Sequence, residues 1–227
     1  MAAQAGADIS VHYAKDETAA SEVVKQVQAL GRKATAVCAD VSDEKAVNTA
    51  TQKAVETIGP LTGLVVSAGI FEPAPIAEMT PEFWDRMLDT NLKGTYLAIR
   101  AAAPSLRARK RGSIVVLTST AGQRGSAVYS AYATSKGGQI MFMRSMAQEL
   151  APDRIRVNCV APGWTLTDMS RDTMTKIGME GIIEKAPLGR VGKPEDVAAA
   201  CCFLLSDIAE FITGSTITVD GGMDMRG

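Results

Sequence analysis

Tyr132 and Lys136 stand four residues apart in Tyr132-Ala133-Thr134-Ser135-Lys136, which puts a phenol and an ammonium on one face of a helix. A free phenol titrates near 10 and is a slow proton donor or acceptor at neutral pH; a fixed positive charge beside it favours the phenolate and lowers that value. The pair therefore suits proton transfer to or from an oxygen. Taken alone, the same spacing fits a surface pair on an amphipathic helix. The neighbourhood narrows the reading. Ser119 lies just past the apolar run Ile114-Val115-Val116-Leu117, at a strand C-terminal end, where open α/β sheets host ligands. Asn91 sits in Asp89-Thr90-Asn91-Leu92-Lys93-Gly94 within a long helical stretch. Pro162-Gly163-Trp164-Thr165-Leu166-Thr167 forms a hydroxyl-bearing turn after another strand.

Elements able to position these residues alternate along the chain. Short β-branched runs at 8–13, 34–39, 61–67, 113–118, 156–161 and 216–219 read as strands, several of them apolar throughout, as in a sheet buried on both faces. Helical patterns separate them. Ser42-Asp43-Glu44 opens one with a hydroxyl cap and acids in the first turn, and Thr80-Pro81-Glu82 opens another with a cap followed by proline. That second helix runs to about residue 106, with Phe83, Trp84, Met87, Leu88 and Leu92 at helical spacing. Gly31, Gly59, Gly112 and Gly214 read as turns. The predicted fold class is α/β: a doubly wound, mostly parallel, Rossmann-like sheet with helices on both faces. The 227 residues form a single domain, with a lid over 166–188 carrying Met169, Met174, Met179 and Ile182.

One feature departs from that fold. A complete doubly wound domain opens with a strand, a glycine-rich turn and a helix whose N-terminus holds a pyrophosphate. Here Met1-Ala2-Ala3-Gln4-Ala5-Gly6-Ala7 reads as the last turns of such a helix, closed by Gly6, and no GxGxxG precedes Asp8.

A formal net charge of -1 gives no electrostatic case for nucleic acid or an anionic membrane. The basic stretch Arg107-Ala108-Arg109-Lys110-Arg111 reads as a solvated helix C-terminus. No apolar run approaches the roughly 20 residues that span a bilayer, and the N-terminus lacks the basic n-region of a signal peptide. Cys38, Cys159, Cys201 and Cys202 are expected reduced and buried, as in a cytoplasmic protein. With His12 the single histidine and no CxxC, no metal site is expected.

Together these residues resemble the short-chain dehydrogenase/reductase family, from Met1 to about Met223. Pro187-Leu188-Gly189-Arg190 and Val219-Asp220-Gly221-Gly222-Met223 look most like its 3-oxoacyl-(acyl carrier protein) reductase branch. The resemblance implies a catalytic tetrad of Asn91, Ser119, Tyr132 and Lys136. Tyr132 would exchange a proton with the substrate oxygen, and Ser119 would orient that oxygen. Lys136 would bind the nicotinamide ribose and depress the phenol pKa, and Asn91 would hold a proton-relaying water. It also implies cofactor contacts at Lys15, Asp40, Val41, Ser67, Ala68, Gly69, Pro162, Gly163, Thr165 and Thr167, besides Tyr132 and Lys136. Val66-Ser67 stands where the family carries two asparagines.

Tyr13 falls where an NAD-selecting acid would be, with Lys15 nearby, so NADP is favoured; Asp16 and Glu17 keep NAD open. The implied activity is hydride transfer between NADP(H) and a carbonyl or alcohol, a small molecule or an acyl thioester such as a 3-oxoacyl thioester. The alternatives are a non-catalytic oligomer subunit and an NAD-dependent alcohol or sugar dehydrogenase. A homotetramer or homodimer paired through 82–106 and 130–150 is implied. Lys110, Arg111 and Arg154 lie near a carrier-docking position, with Asp153 opposing it. In this family the first strand lies between those at 8–13 and 61–67. Without it two strands face a gap, each buried unpaired group costing about 1–3 kcal/mol, so the polypeptide is expected to begin about twenty residues earlier.

Overall fold

The computed structural model describes residues 1–225. In chain order it contains β1 (Ile9–Tyr13), α1 (Glu17–Ala29), β2 (Ala34–Cys38), α2 (Glu44–Ile58), β3 (Gly63–Val66) and α3 (Pro81–Leu88). A π-helical turn (Asp89–Lys93) joins α3 to α4 (Gly94–Arg109), followed by β4 (Gly112–Leu117), α5 (Thr120–Arg124), α6 (Ser130–Leu150) and β5 (Ile155–Pro162). The chain continues through α7 (Asp168–Ile177), α8 (Met179–Ile183), α9 (Pro194–Leu205) and β6 (Thr216–Val219).

All ladders are parallel: β1 pairs with β2, and β3, β4, β5 and β6 pair in sequence order. The core lies on both faces of β4 and β5. Ile114, Val116, Val157 and Cys159 pack toward Leu106 of α4 and Met143 of α6, while Val115 and Val160 pack toward Cys201 and Leu204 of α9. Apolar residues on successive positions of one strand serve opposite faces, which explains the uninterrupted apolar runs.

The gap expected between the strands at 8–13 and 61–67 is present, between β1 and β3. Among the described residues no ladder joins β1 to β3. A cleft of about 1560 Å3 lies there, lined by Ile9, Ser10 and His12 on one wall and by Leu64, Val65 and Val66 on another. Water reaches this wall, since Val65 is 41% exposed and Ser67 and Ala68 are exposed. The edge groups are therefore solvated instead of fully orphaned, which lowers their cost. The expected consequence is uneven protection. In hydrogen exchange read by mass spectrometry, peptides covering β1 and β3 exchange much faster than those covering β4 and β5, whose strands are paired on both edges. Equal protection would contradict an open cleft.

Several local expectations are corrected. Asp43, not Ser42, caps α2, its carboxylate accepting from the backbone N–H of Lys45 (2.8 Å) and Ala46 (3.1 Å), because Ser42 is turned back to donate to Asp40 (2.7 Å). The helix entered by Thr80 continues to Arg109 through the π turn. Gly112 belongs to β4, and the left-handed turn before it is taken by Lys110 (φ 49°). Residues 1–7 form turns and no regular helix, ending at Gly6 with φ 96°. Cys38, at the C-terminal end of β2 and on the face opposite the buried Val37, is exposed, and Cys202 is half-buried; all four cysteines are free. The basic stretch does end a helix, with Arg107 on Asp153 (2.9 Å) and Arg111 on Asp207 (2.5 Å). Asp153 is thereby engaged. Among the described residues no helix is long and apolar enough to cross a membrane, and no cluster could hold a metal ion.

Candidate active site

α6 carries both leading residues, and the structure brings Ser119 to them from the end of β4. Ser119 caps α5, its hydroxyl accepting from the Ala121 N–H at 3.1 Å, and it also hydrogen-bonds the Tyr132 phenol. α5 packs very closely on α6: a Cβ on Gly122 would lie 2.6 Å from the Lys136 carbonyl carbon, so only glycine allows this approach. Lys136 is 5% exposed. Its Nζ donates to the Leu117 carbonyl at 2.9 Å and lies 5.7 Å from the centroid of the Tyr132 ring.

Burial dominates the proton affinities. Desolvation raises the Tyr132 phenol above its ordinary value, and the Ser119 hydrogen bond opposes this only in part. Burial lowers the Lys136 ammonium to about 8. The expectation that Lys136 pulls the phenol pKa down is thus corrected: its ammonium is turned to the Leu117 carbonyl of β4, and loss of water outweighs the lowering contribution of Ser119. The phenol is neutral and protonated at neutral pH, the form that donates a proton.

Asn91 is fully buried in the π turn, a helical irregularity that often marks functional sites. Its Oδ1 accepts from the Ile70 N–H at 2.8 Å, while its Nδ2 donates to the Ile70 carbonyl at 3.0 Å and to Ser135 Oγ at 3.0 Å. Its backbone carbonyl accepts from Thr95 Oγ1 (2.7 Å) and Gln139 Nε2 (2.8 Å). The side chain therefore clamps the segment after β3 to α6. Gly69 sits against this clamp, since a Cβ there would meet Asn91 Oδ1 at 3.0 Å.

The residues assigned to a dinucleotide fall into two groups. At the ends of β1 and β2, Lys15 acts on Asp40, whose carboxylate is held below its usual range chiefly by hydrogen bonds from Ser42. Val41 is buried against Gly94. After β3, the exposed Ser67 and Ala68 border the cleft and lead into Gly69, where a Cβ would lie 3.6 Å from the Lys136 Nζ. Pro162 ends β5, and Gly163 approaches Asp220 so closely that a Cβ would lie 2.6 Å from its side chain. The Thr165 carbonyl accepts from Ser170 (2.6 Å), and Thr167 caps α7 with its hydroxyl 3.2 Å from that of Ser170. The first group lies just beyond the ends of β1 and β2, the second at or beyond the ends of β3 and β5. Among the described residues no glycine-rich strand-to-helix turn offers N–H groups to a pyrophosphate between them. The lid expected over 166–188 contains α7 and α8; Met174 and Ile182 are buried within it, while Met169 is exposed.

Three site-neighbouring residues went unassigned in the sequence. Phe71 stacks on Tyr129 at 4.6 Å, meets Tyr132 edge-on at 4.8 Å and Trp164 edge-on at 6.1 Å. Trp164 carried a signal, standing inside the turn after β5. Phe71 and Tyr129 gave none beyond lying near Gly69 and Tyr132.

A family model described as enoyl-(acyl carrier protein) reductase matches residues 1–224. The chain is 37% identical over 223 residues to the 3-oxoacyl-[acyl-carrier-protein] reductase FabG of Staphylococcus aureus (strain Mu50), covering 98% of this chain and 90% of that protein. It is 39% identical to a protein of Xanthobacter autotrophicus named inactive 2-(S)-hydroxypropyl-CoM dehydrogenase 2, covering 98% of this chain and 97% of that one. A solved structure from Sinorhizobium meliloti, described as a short-chain alcohol dehydrogenase, superposes with a TM-score of 0.92 at 34% identity, over 97% of this chain and 88% of its own.

Proposed function

The chain belongs to the short-chain dehydrogenase/reductase family and is an oxidoreductase. On that premise we propose that it transfers a hydride between NADP(H) and a carbonyl or alcohol, with a 3-oxoacyl thioester as the leading substrate. The observation that carries this is the meeting of Ser119 and Lys136 around a protonated Tyr132 phenol. The Ser119 hydroxyl orients the substrate oxygen, and Tyr132 gives it a proton. Lys136, buried on the Leu117 carbonyl, holds positive charge beside the phenol and binds ribose hydroxyls. The cofactor supplies the hydride; position and electrostatics come from the protein. Lys15 supports NADP, and the name of the S. aureus relative supports the thioester. Four free thiols, those of Cys159 and Cys201 buried, support a reducing, cytoplasmic setting. An apolar groove on α4 and α6, with Tyr96 42% and Met141 59% exposed, supports pairing of subunits through those helices.

NADPH oxidation followed with 3-oxoacyl thioesters, and with NADH in parallel, tests this reading. Turnover at least about tenfold faster with NADPH is expected from the basic Lys15. Equal or better rates with NADH overturn the cofactor assignment, and silence with every carbonyl overturns the activity. A second reading, a non-catalytic subunit, is favoured by the cleft beside β3 and by the name of the X. autotrophicus relative of nearly equal length. Micromolar NADPH binding in calorimetry eliminates it.

A further inference from the structure

Resting on the reductase reading above, we propose that Phe71 is the positioning residue for the Tyr132 phenol. We propose further that Phe71, Tyr129 and Trp164 form an aromatic wall selecting carbonyls that bear a planar apolar group, aryl or conjugated, over polyol-like substrates.

Phe71 touches all three other rings of the cluster, and its backbone is pinned on both sides. Ile70 before it is held through both backbone groups by Asn91 (2.8 and 3.0 Å). Glu72 after it takes a two-pronged ion pair from Arg86 (2.9 and 2.5 Å). Each of these contacts reaches a different helix segment, so the ring is fixed relative to the wall that carries Asn91. On the other side, Tyr129 is delivered to Phe71 by a strained turn. Val128 adopts φ 59°, a left-handed conformation that a β-branched residue rarely accepts, and its carbonyl accepts from the Ala74 N–H at 2.8 Å. That strain ties the loop before α6 to the loop after β3 and sets Tyr129 parallel to Phe71, with an interplanar angle of 6°. Trp164 is held from below by its carbonyl, which accepts from the Gly192 N–H at 2.8 Å. The phenol ring of Tyr132 thus has its orientation set by Phe71, while its hydroxyl meets Ser119.

The chemistry of the wall follows from what it lacks. The carboxylate nearest in sequence, Glu72, is held by Arg86, and apart from the Tyr129 hydroxyl and the Trp164 indole N–H the rings present carbon edges and faces. A polyol entering here surrenders water at several hydroxyls and finds only two polar groups to replace those hydrogen bonds, whereas a flat apolar group gains ring contacts. Fixing the phenol also matters to rate, because small misplacements of a proton donor lower turnover steeply.

The test uses the full chain with NADPH and two ketones, ethyl benzoylacetate (aryl) and dihydroxyacetone (polyol-like). Wild type is expected to prefer the aryl ketone by about 100-fold or more in kcat/KM. Phe71→Ala is expected to lower kcat/KM for it by about 30-fold, chiefly through kcat, and to narrow the preference at least about tenfold; Phe71→Tyr stays within about threefold of wild type. Phe71→Leu, which keeps volume without a ring, behaves like Phe71→Ala and stands in if that variant misfolds. Unchanged rates in the ring-less variants, or a preference for dihydroxyacetone, overturn the proposal. Positioning is also read without turnover. The alkaline tyrosinate absorbance of wild type minus Tyr132→Phe isolates this phenol, and removing the Phe71 ring moves its titration to lower pH by admitting water. A titration that does not move overturns the positioning role, even where loss of all activity has already sunk the reductase reading.

Discussion

Replacing Tyr132 by phenylalanine lowers kcat/KM for carbonyl reduction by about 10³-fold, the scale of a lost general acid. KM changes little, because the group removed acts on the oxygen in the transition state and contributes little to substrate binding. Folding is retained. The ring keeps its edge contact with Phe71 at 4.8 Å, and the hydroxyl's partner Ser119 still caps α5 through the Ala121 N–H. A thermal melt close to wild type, beside a collapsed rate, is therefore the expected pattern. A variant with more than about a tenth of wild-type turnover would remove Tyr132 from its role.

Lys136→Met should separate activity from stability in opposite directions. The lysine is 5% exposed, and its ammonium donates to the Leu117 carbonyl at 2.9 Å. Its pKa in the folded chain is near 8 against a reference of 10.5, a difference that corresponds to roughly 3 kcal/mol of desolvation. The substitution leaves the Leu117 carbonyl without its partner, which offsets about 1 kcal/mol, so a net gain of about 2 kcal/mol is expected. The gain depends on pH. Between about 8 and 10.5 the unfolded chain holds a proton that the folded chain has released, so wild-type stability rises with pH through that window. The advantage of the methionine variant is thus full below about pH 8 and fades toward 10.5. Activity falls by about 10² or more, since the ammonium both holds ribose and supplies positive charge near the phenol. Denaturant titrations at several pH values check this; a variant less stable than wild type at pH 7 would contradict it.

The residues of the sequence that reported most were those whose relations are local. Tyr132 and Lys136 share a helix face by spacing alone, and Ser119 follows an apolar strand whose end could be read directly. The six strands were found to within two residues at each end, and for β4 burial on both faces leaves the unbroken apolar run Ile114-Val115-Val116-Leu117. Relations that cross the chain were not legible. The clamp of Asn91 on Ile70 needs a π turn, and inserting one leaves the helical pattern of Met87, Leu88 and Leu92 nearly unchanged. Phe71, Tyr129 and Trp164 meet only after β3, α6 and β5 are assembled, so no spacing announces them. The Ser42 and Asp43 caps are adjacent and equally suited; the choice was made by Asp40, which holds the Ser42 hydroxyl. The proton affinity of the phenol failed for a related reason. Charge proximity can be read from spacing, but desolvation depends on what covers the pair.

The most direct test of the central claim follows the hydride itself. The chain is incubated with NADPH deuterated at the transferring position of nicotinamide C4 and a 3-oxoacyl thioester, and the hydroxyacyl product is analysed by mass spectrometry. The account predicts one deuterium on the carbinol carbon with wild type and almost no product with Tyr132→Phe. Unlabelled product, or no product from a folded wild-type chain, would contradict it.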